Sequence, residues 1–320
     1  MTDKKWFDKY ARHMIDTEFY AEARARRMKQ TLSKMERDLK AIVNSYGVIK
    51  SKAQERKCLK ECDDCIDDYI DEWEKKETKE REKYAEEESR WLAAAIKIAL
   101  GIILVVTGAM VLRALETPYS DTDTFQSFCD GIREKVKKAV RTPLRSSRIF
   151  GTSTSSVSES LDSSFRKIEA GAVADMQTSV TALQRNVQYQ LLEDKRRIRL
   201  VYVSMLDDRV CAVCAGYSGN VYEDLSKAPP VPVHFRCRCY YLPVLSSGNE
   251  NPFGENYADW FKRQPDSVKY RILGPTRYNF YKSGLVDVKN FSSGGRKLTL
   301  KELFNGKPDS SKSKKYADGI

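Results

Sequence analysis

Five residues of the kinds that bind metal ions lie within 29 residues of this chain, and they constrain its fold more than any other feature. The chain reads CAVC over 211–214 and PPVPVHFRCRC over 229–239. A C-x-x-C turn presents two thiolates to one ion, and the H-x-x-C-x-C segment can supply the remaining ligands of a tetrahedral Zn²⁺. The candidates for these four positions are Cys211, Cys214, His234, Cys237 and Cys239.

We therefore predict a structural zinc site in this region. Cys237 and Cys239 would share one face of an extended strand, so either or both could reach the ion. Four or more protein ligands leave no position for a substrate, which argues against catalytic zinc. The alternatives are a cluster of reduced structural cysteines and a redox dithiol. Cys58, Cys62 and Cys65 are spaced to share one helix face, where we expect small buried side chains rather than a second metal or redox site.

A second feature is the apolar run WLAAAIKIALGIILVVTGAMVL at 91–112, which contains one charge, Lys97. As a helix it would span roughly 33 Å at about 1.5 Å per residue, close to the hydrocarbon thickness of a bilayer. Trp91 and Arg113 lie where interfacial anchors would lie. We expect an apolar helix of membrane length here. A helix buried in a protein assembly is the alternative.

The charge balance indicates a polyanionic partner. The chain has 320 residues, with 56 Lys and Arg against 45 Asp and Glu, and a formal net charge of +11. Two zones concentrate this charge, 133–148 and 255–320, and aromatic residues are interspersed in the second. Such zones are typical of non-specific, electrostatic binding to DNA. The alternative is an ordinary core surrounded by solvated lysines.

The remaining composition narrows the class of protein. A content of 41% hydrophobic and 32% charged residues argues against a polytopic membrane protein and against a largely disordered chain. The first residues are charged and resemble no secretory signal, so eight cysteines indicate a reducing compartment. Neither a G-x-S-x-G motif nor a glycine-rich phosphate loop is present, and we expect a protein that is not an enzyme.

The hydrophobic pattern predicts an α+β fold with a long, mostly helical N-terminal half and a compact α+β C-terminal module that carries the cysteine cluster. Helical periodicity recurs as far as Leu191, and alternation from Ile198 to Met205 predicts a strand. The predicted regions are a charged amphipathic helical region at 1–90, the apolar helix at 91–116, a basic helix at 117–150, a Ser/Thr/Gly-rich linker at 151–160, the C-terminal module at 161–305 and a basic tail at 306–320. Within the basic region the helical stripe covers 125–141, and we expect Pro143 to end it.

The segment around the cysteines resembles the signature of the phage Mu F-like minor head (head morphogenesis) proteins. The segments that carry the likeness are LVYVSMLDDRVCAVCAGYSGNVYE and PPVPVHFRCRCYYLPV, and the likeness extends over about 160–305. Tyr217 and Ser218 stand where that family usually has Leu-Asp. The matching positions are Asp207, Asp208, Arg209, Cys211, Cys214, Gly219, Pro230, His234, Cys237, Arg238 and Cys239.

The resemblance implies a minor head protein of a tailed phage. Such a protein associates with the portal and other head proteins, is present in few copies per particle, contacts packaged DNA and can leave with the genome at ejection. Its expected location is the head interior or portal vicinity of the virion, and the host cytoplasm during assembly. The run at 91–112 would then allow contact with a host membrane. The alternative function is a membrane-anchored zinc-module protein with a binding or regulatory role.

Overall fold

The structure, a computed structural model, describes residues 3–120, 123–223, 227–246, 255–293 and 296–305. Helices dominate, and a small sheet lies in the C-terminal third. In chain order the elements are α1 (Asp3–Ser45), α2 (Lys52–Leu100), α3 (Gly108–Glu116), α4 (Phe125–Phe150), α5 (Thr154–Leu192), β1 (Ile198–Val203), α6 (Ala212–Tyr217), β2 (Val221–Tyr222), β3 (Tyr240–Leu245), α7 (Tyr257–Arg263), α8 (Asp266–Lys282), a 3-10 helix (Val288–Phe291), β4 (Ser292–Ser293), β5 (Arg296–Lys297) and α9 (Leu300–Asn305). The fold is roughly α+β, as predicted, and the strand expected after Arg196 is β1.

The chain forms two compact units. Unit 1 consists of Met1–Glu18, Glu87–Ala114 and Thr181–Ile320, and unit 2 consists of Phe19–Glu86 and Leu115–Val180. Each unit is assembled from separated stretches of chain.

Unit 2 is held together by helix faces that the sequence pattern indicates. The stripe Leu32, Met35, Leu39 and Val43 is fully buried. Cys58 and Cys62 are also fully buried, as expected for small apolar side chains on a helix stripe, and Cys65 is half-buried. Burial of these faces removes apolar surface from water and is the main stabilising contribution of such helices.

Acidic and basic side chains form a ladder between α2 and α4 within unit 2. Residue numbers rise along α4 as they fall along α2, so the two helices run antiparallel at this contact. The ladder uses four of the seven basic residues of 133–148, and Lys135, Lys138 and Arg145 remain exposed. The pairs are Arg133 with Asp71 at 2.6 Å, Lys137 with Asp67 at 2.8 Å, Arg141 with Asp63 at 3.6 Å, and Arg148 with Glu55.

The apolar run at 91–112 is not one helix. α2 ends at Leu100, residues 101–107 are not helical, and α3 begins at Gly108. Gly101 has φ +70°, a left-handed conformation that glycine adopts readily and that ends the helix. The residues that follow are rich in β-branched side chains, which favour extended backbone over helix. Within the described parts of the chain no helix is long and apolar enough to cross a membrane, so the expected membrane-length helix is wrong.

Exposure alternates along this extended segment. Ile103 and Val105 are 73% and 70% exposed, whereas Leu104 between them is 8% exposed. This period of two is typical of extended backbone that lies with one face on the protein. The segment therefore places apolar side chains at the surface.

Two local expectations about helix ends also differ from the structure. Pro143 lies inside α4 and does not end it, and the helix continues to Phe150. Gly151 then ends α4 with φ +64°. Only 151–153 connect α4 to α5, because the serine- and threonine-rich residues from Thr154 onward are helical. Most of the linker predicted at 151–160 is thus part of α5.

The sheet of unit 1 is antiparallel, with the strand order β2-β1-β3. β1 pairs along its whole length with β3, from Ile198 opposite Leu245 to Val203 opposite Tyr240. Its central tyrosines, Tyr202 and Tyr241, are buried and contact each other edge to face. This pairing brings the chain that leaves β1 beside the chain that enters β3, and those two stretches carry the cysteine motifs.

Candidate metal centre

The CAVC turn is built at the start of α6. Cys211 is the N-cap residue of this helix, and its thiol accepts a hydrogen bond from the backbone N–H of Cys214 at 3.4 Å. This geometry turns both thiols toward the same space. The Ser204 hydroxyl donates to the carbonyl oxygen of Cys214 at 2.7 Å and attaches the turn to the end of β1.

The second group of donors comes from the tight turn before β3. The Cys237 N–H donates to the His234 carbonyl oxygen at 3.1 Å, and Arg236 within this turn has φ 59°. A left-handed residue reverses the chain sharply, which returns Cys237 to the side that His234 occupies. Cys239 follows immediately before β3, and both cysteines are buried.

The structure brings all five predicted donors together. They form two overlapping triads that share Cys214, and within each triad the donor atoms lie within 4.8 Å of one another. The His234 Nε2 atom is 3.2 Å from the Cys211 sulfur and 3.3 Å from the Cys214 sulfur. The Cys214 and Cys237 sulfurs are 3.8 Å apart. The first triad is Cys211, Cys214 and His234, and the second is Cys214, Cys237 and Cys239.

The other ring nitrogen of His234 determines which atom can bind a metal. Nδ1 lies 2.8 Å from the carbonyl oxygen of Phe235, which can only accept a hydrogen bond, so Nδ1 carries a proton. In the neutral ring Nε2 is then the free lone pair, and it points at the thiols. Metal-binding histidines commonly donate their second nitrogen in this way, which orients the ring.

Side chains of the cluster have strongly shifted pKa values. Hydrogen bonding with Cys214, opposed by burial and reinforced by His234, lowers the pKa of Cys211 to about 4. Burial lowers the pKa of His234, but the hydrogen bond with Cys211 and the charge of Cys237 outweigh it and raise that pKa to about 9. Hydrogen bonds with Cys214 and Cys239 lower the pKa of Cys237. Thiolate character in a buried cluster is what a soft metal ion requires of its ligands.

The cysteine and histidine clusters could therefore hold a metal ion. The donor set consists of soft sulfur and borderline nitrogen atoms, a chemistry that suits tetrahedral transition metals better than oxygen-seeking Mg²⁺ or Ca²⁺. Cys214, Cys237 and Cys239 are each at most 3% exposed. The triad that these three cysteines form is therefore shielded from bulk water.

Tyr202 is a neighbour of the cluster that sequence reasoning missed. Its side chain is buried beside Cys214, Cys237 and Cys239, and burial, followed by the charges of these cysteines, raises the pKa of its hydroxyl. The hydroxyl makes no hydrogen bond of good geometry with any residue that the structure describes. In the sequence Tyr202 is one of several large residues in an alternating strand, and no motif marks it as a neighbour of the cysteines.

The charged residues of the motif join segments of unit 1 to one another. Asp207 receives two hydrogen bonds from Arg238, and Asp208 pairs with Arg271 at 2.6 Å. Arg209 is 3.5 Å from both Asp207 and Glu18. All of these groups form ion pairs, and most of the pairs connect the loop after β1 with other parts of unit 1. Their role in the structure is therefore to hold this loop in place.

Two further positions of the motif serve the backbone. Gly219 has φ +86°, and its N–H donates to the Tyr202 carbonyl oxygen at 2.8 Å. Ser218, which stands in place of the usual acidic residue, accepts a hydrogen bond from the Tyr257 N–H at 3.0 Å. Pro230 lies exposed in the chain before His234.

The basic C-terminal zone is organised around a core. Its aromatic residues Tyr257, Phe261 and Phe291 are fully buried, so they are not available to stack on nucleic acid bases. Several of its charges are paired, such as Lys262 with Asp287 and Arg296 with Glu302. The basic tail predicted at 306–320 lies outside the described residues.

Comparison with protein-family models, with curated proteins and with solved structures found no match to this chain.

Proposed function

We propose that the cysteine cluster binds one structural Zn²⁺ that stabilises unit 1. The observation that carries this proposal is the convergence of four thiols and one imidazole, contributed by two chain segments on either side of β2. A tetrahedron with Zn–S about 2.3 Å and Zn–N about 2.0–2.1 Å has S···S edges of about 3.8 Å and S···N edges of about 3.5 Å. Three separations, 3.8 Å for Cys214 to Cys237 and 3.2 and 3.3 Å for His234 to Cys211 and Cys214, are close to these values. Cys237 belongs to the second triad, so its distance to Cys211 or to His234 exceeds 4.8 Å and would have to shorten when the metal binds.

We assign the four ligands to Cys211, Cys214, His234 and Cys237. Cys237 links the two triads, because its sulfur lies 3.8 Å from the Cys214 sulfur and its charge raises the pKa of His234. Cys239 is then the fifth candidate donor, left over from the tetrahedron, and it lies next to Cys214 and Cys237. With four protein ligands the metal contributes folding free energy rather than a reaction site.

Metal analysis of the purified full-length chain tests this assignment. We expect about one zinc per chain, and chelation should lower the melting temperature by more than about 10 °C. Cys214→Ser and Cys237→Ser should lose the metal, and Cys239→Ser should keep it. Cys129→Ser, which alters a buried thiol of unit 2, is the matched control and should also keep it. A folded chain without metal would refute the proposal.

We propose further that the whole chain is a minor head protein of a tailed phage, a non-enzymatic component of head assembly near the portal. The likeness of the segment from Asp207 to Cys239 to that family supports this role, as does the structural use of the motif's charged residues. Mass spectrometry of particles from the source of the sequence should detect the chain at a few copies per particle. Its absence from particles that contain the portal protein would contradict the role.

Contact with packaged DNA belongs to the same proposal. Within 133–148 the exposed side chains of Lys135, Lys138 and Arg145 are available to phosphates. Replacing these three residues by Gln should weaken binding to a 20-base-pair duplex and reduce the salt slope by about two to three. Lys137→Gln with Arg141→Gln, which removes charges already paired with α2, should change the slope less. Binding that does not respond to salt would count against this contact.

A further inference from the structure

A cavity lies beside the metal centre, in unit 1. It has a volume of about 160 Å³ and is bounded by the start of α6, the His234 turn, α8 and the 3-10 helix. Apolar side chains form most of its wall, among them Val213, Ile272, Leu273 and Val288. A cavity of about 150 Å³ lined by apolar side chains can hold a molecule of about six heavy atoms.

Two cationic side chains reach this apolar space from different elements. Arg277 comes from α8 and Lys297 from β5, and both line the cavity. The Arg277 guanidinium donates to the Leu298 carbonyl oxygen at 3.0 Å, which holds it next to β5. Burial and the charge of Arg277 lower the pKa of Lys297, against the opposing effect of Cys211.

The carboxylates of the surrounding elements are engaged elsewhere. Asp208 pairs with Arg271 at 2.6 Å, Asp287 pairs with Lys262 at 3.3 Å, and Glu302 pairs with Arg296. Lys297 has no ion pair with any residue that the structure describes. The charges of Arg277 and Lys297 repel each other beside the cavity, and Cys211 offsets part of that repulsion. An anion bound between the two cations would offset more of it.

We propose that this cavity binds a small carboxylate with a branched alkyl body. The carboxylate would lie between Arg277 and Lys297, and the alkyl group would fill the apolar wall. Two sources share this chemistry: a free short-chain acid, and the terminal carboxylate of a protein that ends in a branched aliphatic residue. This inference goes beyond the proposed zinc site. It rests on that site in one respect, because Cys211 and His234 form part of the cavity wall.

Calorimetric titration of the zinc-loaded full-length chain tests the proposal. The free-acid probe is 3-methylbutanoate, and the chain-end probe is N-acetyl-leucine, whose isobutyl group and carboxylate would enter the cavity while its acetamide group stays outside. At least one should bind saturably, and whichever binds more tightly identifies the source. The neutral amide of 3-methylbutanoate should bind about tenfold more weakly, because it lacks the charge. Equal binding of acid and amide, or no saturable binding of either acid, would overturn the proposal.

Matched variants separate the cavity from general charge and from the metal. Lys297→Gln should weaken binding of the preferred acid about tenfold. Lys301→Gln, which removes one exposed charge from α9, should leave it unchanged. Zinc content and melting temperature are measured on each sample. A folded, unaltered chain without zinc refutes the metal proposal, whereas unaltered acid binding by zinc-loaded, folded Lys297→Gln refutes the cavity proposal.

Discussion

Asp207 and Arg238 form a bidentate ion pair, with Nη1 to Oδ2 at 2.6 Å and Nη2 to Oδ1 at 2.8 Å. Asp207 follows β1, and Arg238 lies between Cys237 and Cys239, so the pair joins the two chain segments that supply the metal donors. Burial raises the pKa of Asp207, but the hydrogen bonds from Arg238 and from the Arg209 N–H outweigh this and lower it. Planar, two-point pairing of this kind fixes orientation as well as distance.

Arg238→Gln should therefore lower the free energy of unfolding by about 1–3 kcal/mol, measured by urea denaturation of the zinc-loaded chain. Arg209→Gln is the control, because Arg209 is 63% exposed and its contacts are 3.5 Å long. The control should cost less than about 0.5 kcal/mol. If both variants lost the same stability, the bidentate pair would have no special role.

The metal-free protein should show a stability that depends on pH in three stages. The lowered pKa of Cys211, about 4, makes stability rise as pH increases from about 4. The pKa of His234 is raised to about 9 in the folded state, against 6.5 when unfolded. The stability that His234 contributes therefore falls as pH rises from 6.5 to about 9, and in this pH range it offsets the gain from Cys211. Above about pH 9 stability should fall, because the pKa values of Cys214 and Cys239 are raised in the folded state.

Urea titrations of chelated protein at several pH values would measure this profile. The rise between about pH 4 and 6.5 should amount to at most about 3 kcal/mol from Cys211. Cys211→Ser should reduce that rise to the part that the lowered pKa of Cys237 contributes, and it should leave the fall above about pH 9. A profile that is unchanged by Cys211→Ser would show that the thiol is not ionised in the folded state.

Tyr202→Phe should have opposite effects in the metal-free and metal-loaded protein. Without metal the substitution removes a buried hydroxyl that lacks a good partner, so it should be neutral or stabilise the fold. With zinc bound, the neighbouring thiols become thiolates that can accept from this hydroxyl, and its loss should cost about 1 kcal/mol. Thermal unfolding of both forms checks the sign. The same sign in both forms would contradict a hydrogen bond to the thiolates.

Reversing one charge of the ion-pair ladder between α2 and α4 should lower the free energy of unfolding, and reversing its partner as well should recover some of that loss. Lys137→Glu places a like charge next to Asp67 and should cost about 1 kcal/mol or more in urea denaturation. Adding Asp67→Lys should restore part of that loss, because the new lysine pairs with the glutamate introduced at position 137 but also faces Arg133, which lies 3.5 Å from Asp67. Lys138→Glu, one position along α4 and exposed, should change stability by less than about 0.5 kcal/mol. Failure of the double variant to recover would show that the pair is not formed.

Neighbouring residues of the apolar segment should differ sharply in their tolerance of charge. Leu104→Asp buries a carboxylate in an apolar site and should destabilise the protein by about 3 kcal/mol or more. Ile103→Asp, at a side chain that is 73% exposed, should have little effect on the melting temperature. Equal damage from both changes would contradict the alternating exposure.

Local patterns in the sequence were enough to predict the helix stripes and β1, and to single out the five cysteine and histidine side chains that the structure brings together. Leu32 and Leu39 repeat at helical spacing, and Ile198 to Val203 alternate, because burial of one face imposes a period on the residues themselves. The five candidate donors could be recognised because the chemistry of a metal site is carried by residue type and short spacing. The sequence left open which four of them would bind a metal.

Only the tertiary structure decided the features that depend on residues far apart in the chain. The run at 91–112 has the composition of a spanning helix, yet Gly101 ends α2, and the next residues lie extended. Lys137 belongs to a basic zone in the sequence, but its charge is compensated by Asp67 on another helix. Arg277 and Lys297 meet at one cavity only because the fold brings the Arg277 guanidinium to Leu298, the residue after β5. Charge and hydrophobicity are local properties of a residue, whereas pairing and exposure depend on long-range contacts that no local pattern records.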